Sequence, residues 1–127
     1  MIAVDTSALM AIILDEPQSD ACIAALAAED TILISAGTFA EAFIVASRQG
    51  LKRDMKALMD DIEPEVFNVT QAVAQRPGDV YSKWGKDMHR AGLNLGDCFA
   101  YDVARQHCCK LLYVGNDFAK TDIEGVL

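Results

Sequence analysis

Four acidic residues, each set beside a short apolar run, constrain this chain more than any other feature. Asp5 follows Met-Ile-Ala-Val, and Glu41 closes Ser35-Ala-Gly-Thr-Phe-Ala-Glu. Asp97 lies in Leu95-Gly-Asp-Cys, and Asp117 follows Lys110-Leu-Leu-Tyr-Val-Gly-Asn. In an open parallel α/β sheet the carboxyl ends of the strands converge on one crevice, so acids at strand ends and helix starts meet there. Carboxylates gathered without matching bases repel one another unless a cation joins them. The expectation is a hard divalent-metal site.

Each acid also has a plain structural role to weigh. Asp5 could cap the following helix, but Thr6 and Ser7 already offer that service, which frees Asp5 for function. Asp97 would gain about 0.3–1 kcal/mol as an N-terminal helix charge. Glu41 lies among Phe39, Ala40, Ala42 and Phe43, where a charge needs a partner, either an ion pair or the metal site. Asp117 sits in the turn-like Gly115-Asn-Asp-Phe, with Asn116 as a neutral neighbour able to donate an oxygen or hold a water. Asp102, Asp122 and Glu124 read as surface charges or caps.

Strand and helix patterns alternate along the chain. Residues 1–5 read as a buried strand and Ala8–Leu14 as a helix capped by Thr6 or Ser7. A second helix opens at Ser19 or Asp20 and runs to about Glu29, after Pro17. Thr31–Ser35 is a strand, Thr38 caps a helix to Arg48, and Asp54–Ile62 is another helix. Glu65–Val69 is a weak strand, and Thr70 starts a helix in which Arg76-Pro-Gly predicts a kink or break. Tyr81–Arg90 then resumes as a helix closed by Ala91-Gly92. Asp97–His107 is a helix, Leu111–Val114 a strand, and Glu124–Leu127 a last edge strand. This alternation predicts a parallel sheet covered on both sides, in one α/β domain over residues 1–127.

Composition narrows the function. The apolar fraction is 52% and the longest apolar stretch, Ala8 to Leu14, is far below the ~20 residues of a membrane helix. No charged leader precedes Asp5, so a cytoplasmic address is expected. Cys22, Cys98, Cys108 and Cys109 form no Cys-x-x-Cys pair and no zinc spacing with His89 or His107, so reduced, mostly buried thiols are expected. A net charge of −8 argues against broad electrostatic binding of nucleic acid. Contacts to such a polymer must then come from a local basic stripe. Lys83, Lys86 and Arg90 would share one face of a helix, and Arg48, Lys52, Arg53 and Lys56 form a second cluster. For both, a solvated helix face is the plainer reading.

Taken together, these pieces resemble the PIN-domain family, specifically the VapC-type toxin ribonucleases of bacterial toxin–antitoxin pairs. The resemblance rests on Val4-Asp5-Thr6-Ser7-Ala8-Leu9, Ala40-Glu41-Ala42, Gly92-Leu-Asn-Leu-Gly-Asp97-Cys-Phe-Ala-Tyr101 and Leu111-Leu-Tyr-Val-Gly-Asn-Asp117-Phe-Ala-Lys-Thr-Asp-Ile123, which span the chain in order. It implies a three-layer α/β/α sandwich with a mostly parallel central sheet, an acidic pocket for Mg²⁺ or Mn²⁺, and cleavage of RNA. By resemblance, Asp5 and Asp97 are the metal ligands, Glu41 and Asp117 complete the catalytic set, and Thr6, Ser7 and Asn116 support it. Many relatives carry a second acid where Asn116 stands. The resemblance further implies a homodimer and a cognate VapB-like antitoxin that lays an amphipathic segment on the first helices, with Leu9, Ile12, Ile13 and Ile23 as receiving surface. Two other readings compete: a PIN module that acts through protein binding alone, and a phosphoacceptor receiver domain. The receiver class needs paired acids after its first strand and a Lys after a late one, and this chain has neither.

Overall fold

The computed structural model describes residues 1–127. Four short strands, β1 (Ile2–Val4), β2 (Ile32–Ser35), β3 (Glu65–Phe67) and β4 (Lys110–Leu112), make one all-parallel sheet in the order β3-β2-β1-β4. Between them run α1 (Thr6–Ile13), α2 (Ser19–Ala27), α3 (Ala36–Arg48), α4 (Lys52–Ile62), α5 (Gln71–Trp84) and α6 (Leu95–Gln106). No helix is long and apolar enough to cross a membrane.

The pleat of the strands sorts the helices into layers. Side chains alternate across a sheet, so Ile2, Val4, Ile32, Ile34 and Leu112 point to one face, where α1 to α4 contribute Leu9, Met10, Cys22, Leu26, Ala42, Ala46, Met55 and Met59. Ala3, Leu33 and Leu111 point to the other, against Cys98, Tyr101, Val103 and Ala104 of α6 and the apolar side of α5. A parallel sheet buried on both faces needs such a double core, and the expected three-layer α/β/α arrangement results.

Strand order places the crevice. The chain steps from β1 to β2 to β3 in one direction, then returns through α5 and α6 to lay β4 on the free side of β1. That reversal is a topological switch point between β1 and β4, and ligands bind beyond the carboxyl ends of strands at such a point.

Several local expectations change. Helices α1 and α3 start earlier than propensity suggested, because the residue at the end of β1 or β2 is itself the cap. Asp5, not Thr6 or Ser7, caps α1 by accepting from the Ser7 amide at 3.0 Å. Ser35, not Thr38, caps α3 by accepting from the Gly37 amide at 3.1 Å. Thr70 does cap α5, accepting from the Val73 amide at 3.2 Å.

Helix α5 runs unbroken through Pro77, although the ring removes one backbone bond. Its packing along α6 is clamped by Arg76, whose Nε donates to both oxygens of Asp102 at 2.9 and 3.1 Å. Asp102 is therefore a buried ion-pair partner, not a surface charge. The C-terminal segment contributes a single bridge, Leu111 to Gly125, in place of a full edge strand. Of the four free thiols, Cys22 and Cys98 are buried, Cys109 is half-buried and Cys108 is exposed.

Candidate functional site

Three helix N-termini meet at the carboxyl edge of the sheet. Helix α1 starts at Asp5 directly after β1, α3 starts at Ser35 directly after β2, and α6 starts at Asn94 and packs against α3. Unpaired amides and the positive ends of these helices give carboxylates a favourable place to gather. Asp5 caps α1, Asp97 lies in the first turn of α6, Glu41 lies one turn further into α3, and Asp117 lies beyond β4 at the start of a short turn, Phe118–Lys120.

Asp5 is buried, and its two oxygens differ. Oδ2 accepts from the Ser7 amide and from Ser7 Oγ at 2.6 Å. Oδ1 is buried with no hydrogen-bond partner. Burial raises the Asp5 pKa; the Ser7 bonds oppose that rise and the Glu41 charge adds to it. Ser7 Oγ also accepts from the Val114 amide at 3.0 Å, which ties Asp5 to the segment leading to Asn116 and Asp117. Thr6 and Ser7 therefore act on the acids and not as caps. Thr6 Oγ1 donates to Glu41 Oε1 at 2.6 Å, leaving Oε2 free of that bond.

Asp97 serves two purposes at once. Its Oδ2 accepts from the Asn94 amide at 2.9 Å while Asn94 Oδ1 accepts from the Asp97 amide at 2.9 Å, a reciprocal cap on α6. Its pKa is pushed up to about 7, first by burial and then by the charges of Asp5, Glu41 and Asp117, against the Asn94 bond. The charges of the other three acids thus all bear on Asp97, and that of Glu41 also bears on Asp5. Asn116 and Asp117 lie exposed at the rim.

No three acidic, histidine or cysteine side chains close on one point as a finished cage. Mg²⁺ does not require one: it keeps several waters and is held by one or two carboxylates. The donor set fits such an ion. It is all oxygen, it includes a buried carboxylate oxygen lacking a partner, and it holds a carboxyl whose ionisation its neighbours oppose. The largest cavity, about 600 Å³, lies elsewhere, at the amino-terminal edge of the strands beside Met1, Arg105, Cys108 and Lys110.

The expected basic stripe does not form. Gly85 leaves the helical region at φ −70 and ψ 167, and Leu93 returns to bond the Trp84 carbonyl, so α5 ends at Trp84. Lys83 closes the helix, 5.0 Å from the Trp84 ring centroid and 4.0 Å from Asp122, whereas Lys86 and Arg90 lie exposed in the following turn. They share no helix face. In the second cluster Lys56 pairs with Asp60 at 2.8 Å on α4, and Arg48, Lys52 and Arg53 are exposed around the α3–α4 turn. Leu9 is fully buried core and leaves the expected receiving surface, while Ile23 is half-exposed beside Ile12.

Sequence reasoning missed Asn94 and Gly96. The Asn94-x-x-Asp97 spacing is a readable capping signature. Gly96 carries no signal in the sequence, because its significance lies in a tertiary contact with Glu41.

A sequence profile of the PIN domain matches residues 2–124. The chain is 35% identical over 130 residues to ribonuclease VapC30 of Mycobacterium tuberculosis, spanning 98% of each. It is 37% identical over 128 residues to ribonuclease VapC28 of the same organism, spanning 98% of this chain and 96% of the relative. Among solved structures, M. tuberculosis VapC20, described as a sarcin-ricin loop cleaving toxin, superposes with a TM-score of 0.81 at 16% identity, covering 99% of this chain and 98% of that one. VapBC2 of Rickettsia felis, bound to a promoter DNA fragment, gives a TM-score of 0.70 at 17% identity, covering 98% and 96%. At the level of fold these structures agree with the architecture above, and the full-length sequence kinship settles the family: this chain belongs to the PIN-domain family, in its VapC group.

Proposed function

We propose that the chain is a Mg²⁺- or Mn²⁺-dependent endoribonuclease, the toxin of a VapBC-type pair, hydrolysing RNA phosphodiester bonds. One observation carries the reading: Asp5 Oδ1 is buried and unpaired at the switch point, and Asp97 beside it feels the charges of Asp5, Glu41 and Asp117 with no base to offset them. The ribonuclease names of relatives at 34–38% identity support the substrate class.

Asp5 and Asp97 would hold the ion, each keeping one oxygen that neither Ser7 nor Asn94 engages. When bound, the ion neutralises charge growing on the phosphoryl oxygens and makes water more acidic. Glu41, oriented by Thr6 through Oε1, accepts the proton of the attacking water at Oε2. Asp117 and Asn116, at the rim, orient water from the open side. Cleavage leaves a 5′-phosphate and a 3′-hydroxyl. Lys86 and Arg90 reach RNA phosphates from the exposed turn, and Lys83, held beside Trp84 and Asp122, contributes less.

The cognate antitoxin lays an amphipathic segment in the groove of about 510 Å³ lined by Ile12, Ile23, Leu26, Leu58 and Ile62. Its rim acid Asp61 favours a segment with basic residues, Glu29 being paired with the Met1 amino group. The toxin works as a homodimer in the cytoplasm.

The test is purified full-length protein, free of partner, incubated with tRNAs and mRNA in Mg²⁺, Mn²⁺ or EDTA, with D5N as control. Cleavage in both metals and its loss in EDTA and in D5N are expected. Equal cleavage by D5N, or cleavage unaffected by EDTA, would overturn the assignment.

A further inference from the structure

The nuclease reading above requires Glu41 to stay beside Asp97, and its side chain is long and flexible. Two contacts hold it. Thr6 Oγ1 pulls on Oε1 from the α1 side at 2.6 Å. From the other side the carboxylate rests on the bare backbone of α6: a Cβ built on Gly96 would overlap the Glu41 carboxyl carbon and Oε2 and lie 2.6 Å from Oε1. Gly96 is not among the glycines with positive φ, so its backbone alone does not require glycine. What the missing side chain provides is space.

The α6 backbone cannot easily retreat to make that space another way. One turn earlier on α3, a Cβ on Gly37 would stand 2.7 Å from the Phe99 ring, so the two helices already touch at van der Waals limits beside the site. The two glycine contacts differ in what would yield. At Gly37 the obstacle is an aromatic ring packed between helices. At Gly96 it is the tip of a side chain that can swing away.

We infer that Gly96 is a positioning residue: the gap left by its absent side chain is the seat of the Glu41 carboxylate, and it fixes Glu41 against Asp97 in the metal site. Adding a methyl group there leaves the helix in place but moves the carboxylate, and with it a negative charge that acts on Asp5 and Asp97 and helps them attract the cation. The signature of this role is a loss of metal binding with little loss of stability, whereas a structural glycine would show the reverse.

The experiment is a double-mutant cycle on full-length protein, with Mn²⁺ affinity read by calorimetry in the absence of RNA and unfolding followed by circular dichroism. G96A is expected to keep its melting temperature within a few degrees of the parent, to weaken Mn²⁺ binding at least tenfold, and to lower kcat more than it raises KM. In the E41A background, where the seat is vacant, G96A is expected to change Mn²⁺ affinity less than twofold. Mn²⁺ affinity within twofold of the parent in G96A, or an equal weakening in the E41A background, overturns the inference. Should G96A alone fail to fold, a folded E41A/G96A protein assigns the clash to Glu41, and an unfolded one overturns the inference. Parent protein that binds Mn²⁺ but leaves every RNA intact sinks the ribonuclease reading and leaves the role of Gly96 standing.

Discussion

Asp5 and Asp102 are equally hidden, at 3% and 4% exposure, yet they are settled in opposite ways. Asp102 is matched: both of its oxygens accept from Arg76 Nε, and the pair fastens α5 to α6. Asp5 has no base near it. Ser7 satisfies one oxygen, and the other is left without a partner while Glu41 and Asp97 add like charge. A buried acid therefore does not by itself mark a functional site. What marks one is a buried acid that the fold has declined to neutralise, at an energetic cost the folded chain carries in other contacts.

The comparison can be broken by neutralising each side in turn. At the site, D97N is expected to lower RNA cleavage roughly 10²–10³-fold, measured as kcat/KM in Mg²⁺, since a preorganised charge of this kind contributes about that much. D102N is expected to leave cleavage per folded molecule within a few-fold. Should the two variants lose cleavage alike, the distinction between them fails.

Stability should respond with the opposite sign. R76A leaves Asp102 buried and unpaired and is expected to cost roughly 2–3 kcal/mol by denaturant unfolding, below the ~3–5 kcal/mol of a fully buried pair because the Arg76 side chain is 39% exposed. Metal-free D97N is expected to be more stable than the parent, by about 1–2 kcal/mol, since it removes repulsion while the Asn side chain still accepts from the Asn94 amide. A D97N protein less stable than the parent without metal would mean that the cap, and not the charge, dominates at this position.

The last effect is a pH slope, modest at any one pH. The Asp97 pKa is about 7 in the folded chain against 3.8 for the ordinary group, so between those values the folded protein holds a proton that the unfolded chain has released. Stability of the metal-free protein therefore falls as pH rises from about 4 to about 7, by at most about 1.4 kcal/mol per unit from this group. Mn²⁺ binding displaces that proton and should tighten over the same range. Unfolding curves of parent and D97N across this window check it, and the excess slope should vanish in D97N.

Much of this was legible beforehand, for identifiable reasons. Parallel α/β order followed from alternating periodicity, and the acids stood out because each interrupts or ends an apolar run. The misjudged positions all depend on long-range partners. Asp102 looks like a surface charge in the sequence because its partner Arg76 is 26 residues away. The break expected at Pro77 ignored the packing that holds α5 against α6. The basic stripe fails at Gly85, where a return contact from Leu93 ends the helix at Trp84, short of Lys86 and Arg90. Caps were displaced because Thr6, Ser7 and Thr38 have the right chemistry, but the strand ends Asp5 and Ser35 have the right position.

Asp5 and Ser35 each terminate a strand and open a helix within one residue, so no connecting loop stands between the sheet and the acids at those two corners. There is no slack in which to insert, delete or bend. Any change in how β1 sits against β2 or β4 is transmitted undamped to Asp5 and the first turn of α3. Tolerance for new sequence must then lie away from these corners, in the turn over residues 85–92, which carries none of the four acids and whose surface residues can change without moving them.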